Sequence, residues 1–177
     1  MSKRRFMIDI EAAGKMPGGV ILSIGWCRFS PEDGAVLAES GEVRLEIQPQ
    51  LDAGLRVDGD TLDWWLRQTA LPWAPDTVAQ PPKAALVTLL ASIARAEQIW
   101  AKPPQYDLTG IRAACAAFGI DEPWHFRKER CFRTLRAEAP RDLLMEPLRE
   151  GVKHGALVDA VHQAREAAVI MKARSGS

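Results

Sequence analysis

Hydrophobic and polar positions alternate along the first third of the chain in the manner of β-strands. Residues 6–11 predict a strand with one apolar face and one face that carries Asp9 and Glu11. Residues 20–29 are almost continuously apolar, which is typical of a central strand buried on both faces. Residues 42–47 alternate again and predict a half-exposed third strand. The short turns between these segments favour antiparallel neighbours.

The middle of the chain changes to helical periodicity. Asp60 or Thr61 is the expected cap of a short helix that carries Trp64 and Trp65. The two tryptophans cannot both face the core, so we expect one to be buried and the other to contact a substrate or a partner subunit. Pro81-Pro82 opens a longer helix, in which apolar residues recur at i, i+3, i+4 and i+7.

The second half of the chain alternates strand and helix. Residues 98–102 predict a short strand, and a helix follows that Gly119 ends. Prolines break residues 121–151 into pieces without a clear period, and a last helix is expected over about Ala156–Arg174. One face of this helix is expected to carry Leu157, Ala160, Val161, Ala164, Ala168 and Met171. This order predicts an α/β fold, a mixed sheet flanked by helices in a single domain over residues 1–177.

Composition narrows the class of protein. The 177 residues are 47% hydrophobic and 26% charged, which is ordinary for a globular domain. Lys plus Arg and Asp plus Glu are 23 each, which argues against a non-specific DNA coat protein but allows a local basic groove. No segment has the length or pattern of a membrane span or a signal peptide. Three isolated cysteines fit reduced thiols, so we expect a cytoplasmic protein.

Asp9 and Glu11 are the first candidate site residues. On a strand, side chains at i and i+2 project from the same face about 6.6 Å apart at the backbone. Two carboxylates at that spacing can hold one Mg²⁺ or Mn²⁺ ion. Taken alone, such a pair more often belongs to a solvent-facing strand that carries two ordinary surface acids, because this tripeptide pattern is common.

Asp107 is the second candidate, at the first turn of the helix that follows strand 98–102. A carboxylate at this place also caps helices, and that is the simpler explanation. Trp100, Lys102 and Tyr106 nearby suit a phosphate-bearing substrate with a base that can stack.

His154 and Asp159 are the third candidate piece. On one continuous helix, five positions would place the two side chains roughly 140° apart, too far to share a site. Gly155 lets the helix begin after it, so that His154 precedes the helix and Asp159 points from the first turns toward the same centre. A lone histidine is more often a surface or packing residue, and we assign His125 and His162 to that class.

These three pieces resemble the motifs of the DEDD 3′–5′ exonucleases. Residues 6–11 with residues 20–25 resemble the first motif, residues 99–108 the second and residues 154–164 the third. The H-x₄-D spacing is that of the DEDDh branch. Trp64-Trp65 with Gln68, and Arg133-Thr134-Leu135, are most similar to the compact phage and bacterial DexA-like group.

The resemblance implies a ribonuclease-H-like fold, with a mixed five-stranded sheet flanked by helices. It implies a 3′–5′ exonuclease that uses two divalent metal ions, Mg²⁺ or Mn²⁺, and releases nucleoside 5′-monophosphates from single-stranded RNA or DNA 3′ ends. RNA is favoured over DNA because the chain resembles small exoribonucleases and lacks a duplex-melting domain. A homodimer is compatible with the resemblance, but the residues single out no interface for it.

The resemblance also assigns a role to each site residue. One ion is expected among Asp9, Glu11 and Asp159, the second is expected at Asp9 and Asp107, and His154 is the expected general base. The expected substrate contacts are Ile10, Ala12, Tyr106 and Arg133. Ala12 departs from the family, which often has Thr there.

A basic cluster precedes the third motif. Its members are Arg127, Lys128, Arg130, Arg133 and Arg136. The cluster is either a solvated face or a track for the nucleic-acid backbone. Two alternatives to hydrolysis remain: an inactive nucleic-acid-binding module on the same fold, which does not need four clustered acids, and a strand-transferring enzyme, which the spacing of His154 and Asp159 disfavours.

Overall fold

A computed structural model of the chain describes residues 3–68, 76–121, 123–144 and 155–175. Its strands are β1 (Arg5–Ala12), β2 (Ile21–Ser30), β3 (Gly34–Leu45), β4 (Ala79–Gln80), β5 (Gln98–Ala101) and β6 (Glu129–Cys131). They form one mixed sheet in the order β4-β3-β2-β1-β5-β6. β1, β2 and β3 are antiparallel neighbours, whereas β4, β5 and β6 each join the sheet in parallel.

The helices lie on both faces of this sheet. They are α1 (Gln48–Asp52), α2 (Gly59–Leu66), α3 (Pro82–Ser92), α4 (Asp107–Ala117), α5 (Phe132–Ala137) and α6 (Ala156–Ser175). The expected mixed sheet with flanking helices is therefore confirmed, but the sheet has six strands rather than the expected five. β4 and β6 span only two and three residues, too few to show an alternating pattern.

Strand β1 separates two hydrophobic cores because its side chains alternate between the faces of the sheet. Phe6, Ile8 and Ile10 belong to the core under α3 and α4. Met7 belongs to the core under α5 and α6. As a result, the face of β1 that carries the carboxylates is the one that α6 covers.

The buried face of α6 differs from the prediction. Ala160, Ala164 and Ala168 are buried as expected, but the other three predicted residues are only partly buried. Three polar residues are buried instead: Asp159, Gln163 and Glu166. Each of them approaches a polar partner on another element or in its own helix, and a hydrophobic pattern cannot reveal such pairs.

The N-terminus of α2 also corrects the prediction. Asp58, not Asp60 or Thr61, is the N-cap, and its side chain accepts a hydrogen bond from the backbone N–H of Thr61. Gly119 ends the stretch after α4 with φ +66°, as the sequence predicts. No helix in the described ranges combines the length and the apolar character that crossing a membrane requires.

Candidate metal centre

The two carboxylates of β1 lie near the end of the strand on the face beneath α6. Asp9 is opposite Gly25 of β2, and Glu11 is opposite Ser23. Both residues are only partly buried, whereas Met7, two positions before Asp9 on the same face, is fully buried. The face therefore changes from fully buried apolar side chains to partly buried carboxylates within one strand.

Gly25 brings the start of α6 against the sheet. A Cβ atom at Gly25 would lie 2.2 Å from the backbone nitrogen of Leu157 and 2.4 Å from the carbonyl oxygen of Ala156. Only glycine permits this approach. Asp159 follows in the first turn of the helix, where its backbone N–H donates to the carbonyl of Gly155.

The close approach of α6 completes a cluster of three carboxylates. One ligand atom each from Asp9, Glu11 and Asp159 lie within 4.8 Å of one another. Asp9 and Asp159 are separated by 150 positions, so the packing of α6 on β1 and β2 brings them together. The sequence-predicted trio is thus assembled in one place.

Asp107 approaches the cluster from the edge of β1 that faces β5. It is the first residue of α4 and is only 2% exposed. One carboxylate oxygen accepts from the N–H of Ile10 at 3.4 Å, and the other accepts from the N–H of Lys102 at 3.2 Å. The pairing of β1 with β5 ends at Met7, so Asp107 binds backbone groups at the point where the two strands separate.

Burial and mutual repulsion disfavour ionisation of these carboxylates. Burial raises the pKa of Asp9 well above its usual value, and the charges of Asp107, Glu11 and Asp159 raise it further. Burial also raises the pKa of Asp107 to about 7, against the opposing effect of its backbone hydrogen bonds and of Arg133. A divalent cation among these oxygens would relieve the repulsion, and hard oxygen ligands are those that Mg²⁺ and Mn²⁺ prefer.

Gln163 is a site residue that the sequence did not reveal. Its Nε2 donates a 2.8 Å hydrogen bond to Oδ1 of Asp9, and the residue is only 6% exposed. The bond favours the ionised carboxylate and so lowers the pKa of Asp9. Gln163 lies one turn after Asp159, and that i, i+4 spacing was the only available signal.

Comparison with known proteins identifies the family. The family model for the 3'-5' exoribonuclease Rv2179c-like domain matches residues 4–171. The chain belongs to this family. It is a 3′–5′ exonuclease, as the three motifs predict, while its placement in the DEDDh branch and in the DexA-like group stays a prediction.

Solved structures share the fold of this exonuclease. The nuclease domain of 3'hExo, a DEDDh family member bound to rAMP, matches with TM-score 0.62 and 12% identity over 97% of this chain and 93% of that one. Cell-death related nuclease 4 (CRN-4) matches with TM-score 0.64 and 12% identity over 99% of this chain and 64% of that one. Pop2p of S. pombe, in a Mg²⁺- and Mn²⁺-bound form, matches with TM-score 0.61 and 13% identity over 98% of this chain and 85% of that one. No curated protein matches in sequence.

The four expected substrate contacts of the exonuclease lie near the carboxylates, but two have buried side chains. Ile10 and Ala12 are 4% and 5% exposed, so their side chains offer a substrate little surface. Tyr106 is 37% exposed at the start of α4, and burial together with the nearby carboxylates raises its pKa. Arg133 is exposed on α5, close enough to lower the pKa of Asp107.

His154 lies outside the described residues, so its role as general base stays a prediction. It immediately precedes Gly155, whose carbonyl accepts from Asp159. His162, assigned to packing or the surface, has a side chain that is only 12% exposed and lies 4.0 Å from a carboxylate oxygen of Glu166.

The tryptophan pair corrects a further prediction. We expected one of Trp64 and Trp65 to be buried, but α2 contains no fully buried residue. Trp65 packs partly against the core, and its Nε1 donates to the carbonyl of Ala12 at 2.8 Å. Trp64 is 37% exposed, and its ring meets that of Trp65 edge to face at 4.7 Å. The pair therefore supports the end of β1 from outside the core.

Proposed function

We propose that this exonuclease hydrolyses single-stranded RNA from the 3′ end in a reaction that requires two divalent cations, Mg²⁺ or Mn²⁺. The products are nucleoside 5′-monophosphates. The clustering of Asp9, Glu11 and Asp159, with ligand atoms within 4.8 Å of one another and Asp107 beside them, carries the proposal. The exoribonuclease family, the rAMP bound to 3'hExo and the ions bound to Pop2p support it.

The four carboxylates can serve as ligands for two cations that have one residue in common. Asp9, Glu11 and Asp159 would hold one ion, and Asp9 with Asp107 would hold the other, so Asp9 is the ligand common to both. When bound, the cations would neutralise charge on the scissile phosphate and lower the pKa of the attacking water. In their absence the same carboxylates repel one another, so binding of the metal is coupled to loss of protons.

The chain's own groups position the substrate and move the proton. His154 would take the proton of the attacking water, which a neutral imidazole does well near pH 7. Arg133 would contact a phosphate, and Tyr106 would contact the terminal sugar or base from the exposed part of its ring. The backbone of residues 10–12 would line the position of the 3′-terminal nucleotide. Asp107 fixes that backbone through its bond to the N–H of Ile10.

A labelled-substrate experiment tests this function. RNA and single-stranded DNA of matched sequence, labelled in separate samples at the 5′ end and at the internal phosphates, are incubated with Mg²⁺, Mn²⁺ or EDTA. We expect stepwise shortening from the 3′ end, faster on RNA, with nucleoside 5′-monophosphates as the only small product and no reaction in EDTA. Asp9→Ala is expected to abolish shortening, whereas Asp60→Ala, a change at a 96% exposed side chain, is the matched control.

Three outcomes would contradict parts of the proposal. Release of nucleoside 3′-monophosphates would show that the other bond of the phosphodiester is cleaved, not the one that yields 5′-monophosphates. Faster hydrolysis of DNA would reverse the sugar preference. Shortening that persists in Asp9→Ala would remove the carboxylate cluster from the reaction and locate catalysis elsewhere in the chain.

A further inference from the structure

An aromatic surface lies on the edge of the sheet, apart from the carboxylates. Phe126 is 60% exposed, on the short 3₁₀ turn Phe126–Lys128 that precedes β6. The ring of His125 stacks on it with centroids 4.7 Å apart and planes inclined by 27°. The guanidinium carbon of Arg127 lies 5.9 Å from the same ring centroid. Two flat rings and a cation are thus presented together to solvent.

Positive charge continues from this surface along β6. In the part of the chain that the structure describes, Arg127, Lys128, Arg130 and Arg133 form no ion pair. The neighbouring acid, Glu129, is already engaged: its carboxylate accepts from Arg112 and from Trp124. Among the described residues, Arg130 donates to the backbone carbonyls of Arg127 and Glu129 and pairs with no carboxylate.

The register of the sheet directs this strip toward the acidic cluster. Glu129 pairs with Ile99 of β5, which in turn pairs with Phe6, near the end of β1 away from the carboxylates. Cys131 pairs with Ala101, next to the residue whose N–H binds Asp107. α5 then begins at Phe132 and carries Arg133, which lies near enough to Asp107 for the two charges to interact.

The strip has the length of several nucleotides. At about 2 Å per residue in the 3₁₀ turn and about 3.3 Å per residue in the strand, Phe126 lies about 13 Å from Cys131 along the chain. Stacked nucleotides rise about 3.4 Å each, so the strip matches about four of them. A chain with its 3′ end at the carboxylates would reach Phe126 only if it were longer than that.

Protection of the sheet edge does not account for the whole surface. Lys and Arg on an edge strand prevent edge-to-edge association, which would explain the basic residues of β6. An exposed phenylalanine works against that purpose, because it adds apolar area to the same edge. A stacked aromatic pair beside arginines that have no ion pair among the described residues is instead a combination that suits single-stranded nucleic acid, with rings for the bases and cations for the phosphates.

We propose that His125, Phe126 and the basic side chains that follow them form an upstream binding site for single-stranded nucleic acid. The site engages the substrate more than about four nucleotides before its 3′ end, so the exonuclease prefers chains longer than that over dinucleotides. This inference rests on the proposed function for the position of the 3′ end.

The test compares oligoadenylates of two and of about twelve nucleotides. For Phe126→Ala, the ratio of kcat/KM for the long substrate to that for the dinucleotide is expected to fall about tenfold, through KM, because one stacking contact is lost. Binding of the long substrate in EDTA, followed by fluorescence anisotropy, is expected to weaken by the same factor. Leu37→Ala, which removes a 56% exposed side chain from β3, is the matched control and leaves both quantities unchanged.

A charge variant adds a second measurement. Arg127→Glu is expected to weaken binding in EDTA and to make log Kd less steep against log salt by about 0.7 for each lost phosphate contact. A ratio of kcat/KM and an affinity in EDTA that Phe126→Ala leaves unchanged would overturn the inference. A different result would contradict the proposed function: hydrolysis of neither oligoadenylate by the wild-type protein, with Mg²⁺ or with Mn²⁺. The EDTA binding measurement decides the inference even in that case.

Discussion

Asp107 is the residue at which the loss of stability caused by burying a site carboxylate can be measured most directly. Burial raises its pKa to about 7, from the ordinary value of 3.8, so the folded protein binds this proton more tightly than the unfolded chain. The carboxyl therefore leaves stability unaffected at low pH. It lowers the free energy of unfolding as pH rises through the interval between the two values, and the full cost is present above about pH 7.

Replacement by asparagine removes that cost. In EDTA, Asp107→Asn is expected to be more stable relative to wild type at pH 8 than at pH 5, by on the order of 1–3 kcal/mol. Urea unfolding at the two pH values measures the difference, with Asp60→Asn as an exposed control that leaves it at zero. A stability difference for Asp107→Asn that is the same at both pH values would mean that the carboxyl is ionised throughout and that burial does not penalise it.

Gln163 is expected to act on the metal through Asp9. Gln163→Met keeps the volume but removes the donor to Oδ1 of Asp9. Because loss of a hydrogen bond that orients a metal ligand typically weakens affinity, we expect the half-saturating Mn²⁺ concentration to rise about 10–100-fold in calorimetry.

Another buried glutamine provides the control for that change. Among the described residues, Gln50 forms hydrogen bonds with backbone groups of Ile21 and Glu46. Gln50→Met is expected to lower Tm in EDTA without changing the half-saturating Mn²⁺ concentration. If the two variants lower Tm equally and neither changes Mn²⁺ binding, Gln163 supports the fold alone.

The sequence revealed charged site residues better than neutral ones. Carboxylates are common at helix starts, but Asp9, Glu11, Asp107 and Asp159 stood out because together their order and spacing resemble the motifs of a known family. Gln163 did not, since a glutamine in a helix is ordinary and its partner lies 154 positions away. His125 and Phe126 were likewise hidden, because exposure and ring stacking are properties of the folded turn.

At the level of elements, the contact between β2 and α6 decides the geometry of the cluster. A methyl group at Gly25 would meet backbone atoms of α6, which cannot move aside as a flexible side chain could. Gly25→Ala is therefore expected to destabilise the protein by about 1–3 kcal/mol. The shift of α6 is also expected to displace Asp159, and thereby to reduce exonuclease activity at least tenfold in the protein that remains folded.

Gly59→Ala is the matched control for this prediction. Gly59 begins α2 and has no heavy atom within 4 Å of an added Cβ. Its substitution is expected to leave activity and stability nearly unchanged. Activity in Gly25→Ala that follows the folded fraction alone would show that Asp159 tolerates the shift.

Element boundaries followed from the sequence where a period extended over several residues. The starts of α3 and α6 were predicted within a residue, since Pro81-Pro82 and Gly155 mark them. β4 and β6 were missed because pairing with a longer neighbour, rather than their own pattern, makes them strands. The orientation of α6 was predicted in part: its alanines indicated the buried face, but its buried polar residues have partners that no local pattern shows.

At the level of the whole molecule, the order of strands places the site. β1 lies between β2 and β5, so its two carboxylates can be approached by α6 across one face and by the start of α4 at the end of the strand. Resemblance to a family predicted this arrangement, whereas hydrophobic pattern alone predicted only a mixed sheet with helices. An alternating pattern predicts which side chains lie on each face of a strand, but it does not predict which strands pair with that strand.

The central claim is that this acidic cluster binds two cations through one shared residue, Asp9. The most direct measurement is the number of Mn²⁺ ions bound per chain, determined by calorimetry in the presence of a nucleoside 5′-monophosphate. We expect two ions for the wild-type protein, one for Asp107→Asn and none for Asp9→Ala, with all three proteins folded. Two ions in Asp9→Ala, or none in the wild-type protein, would contradict the claim.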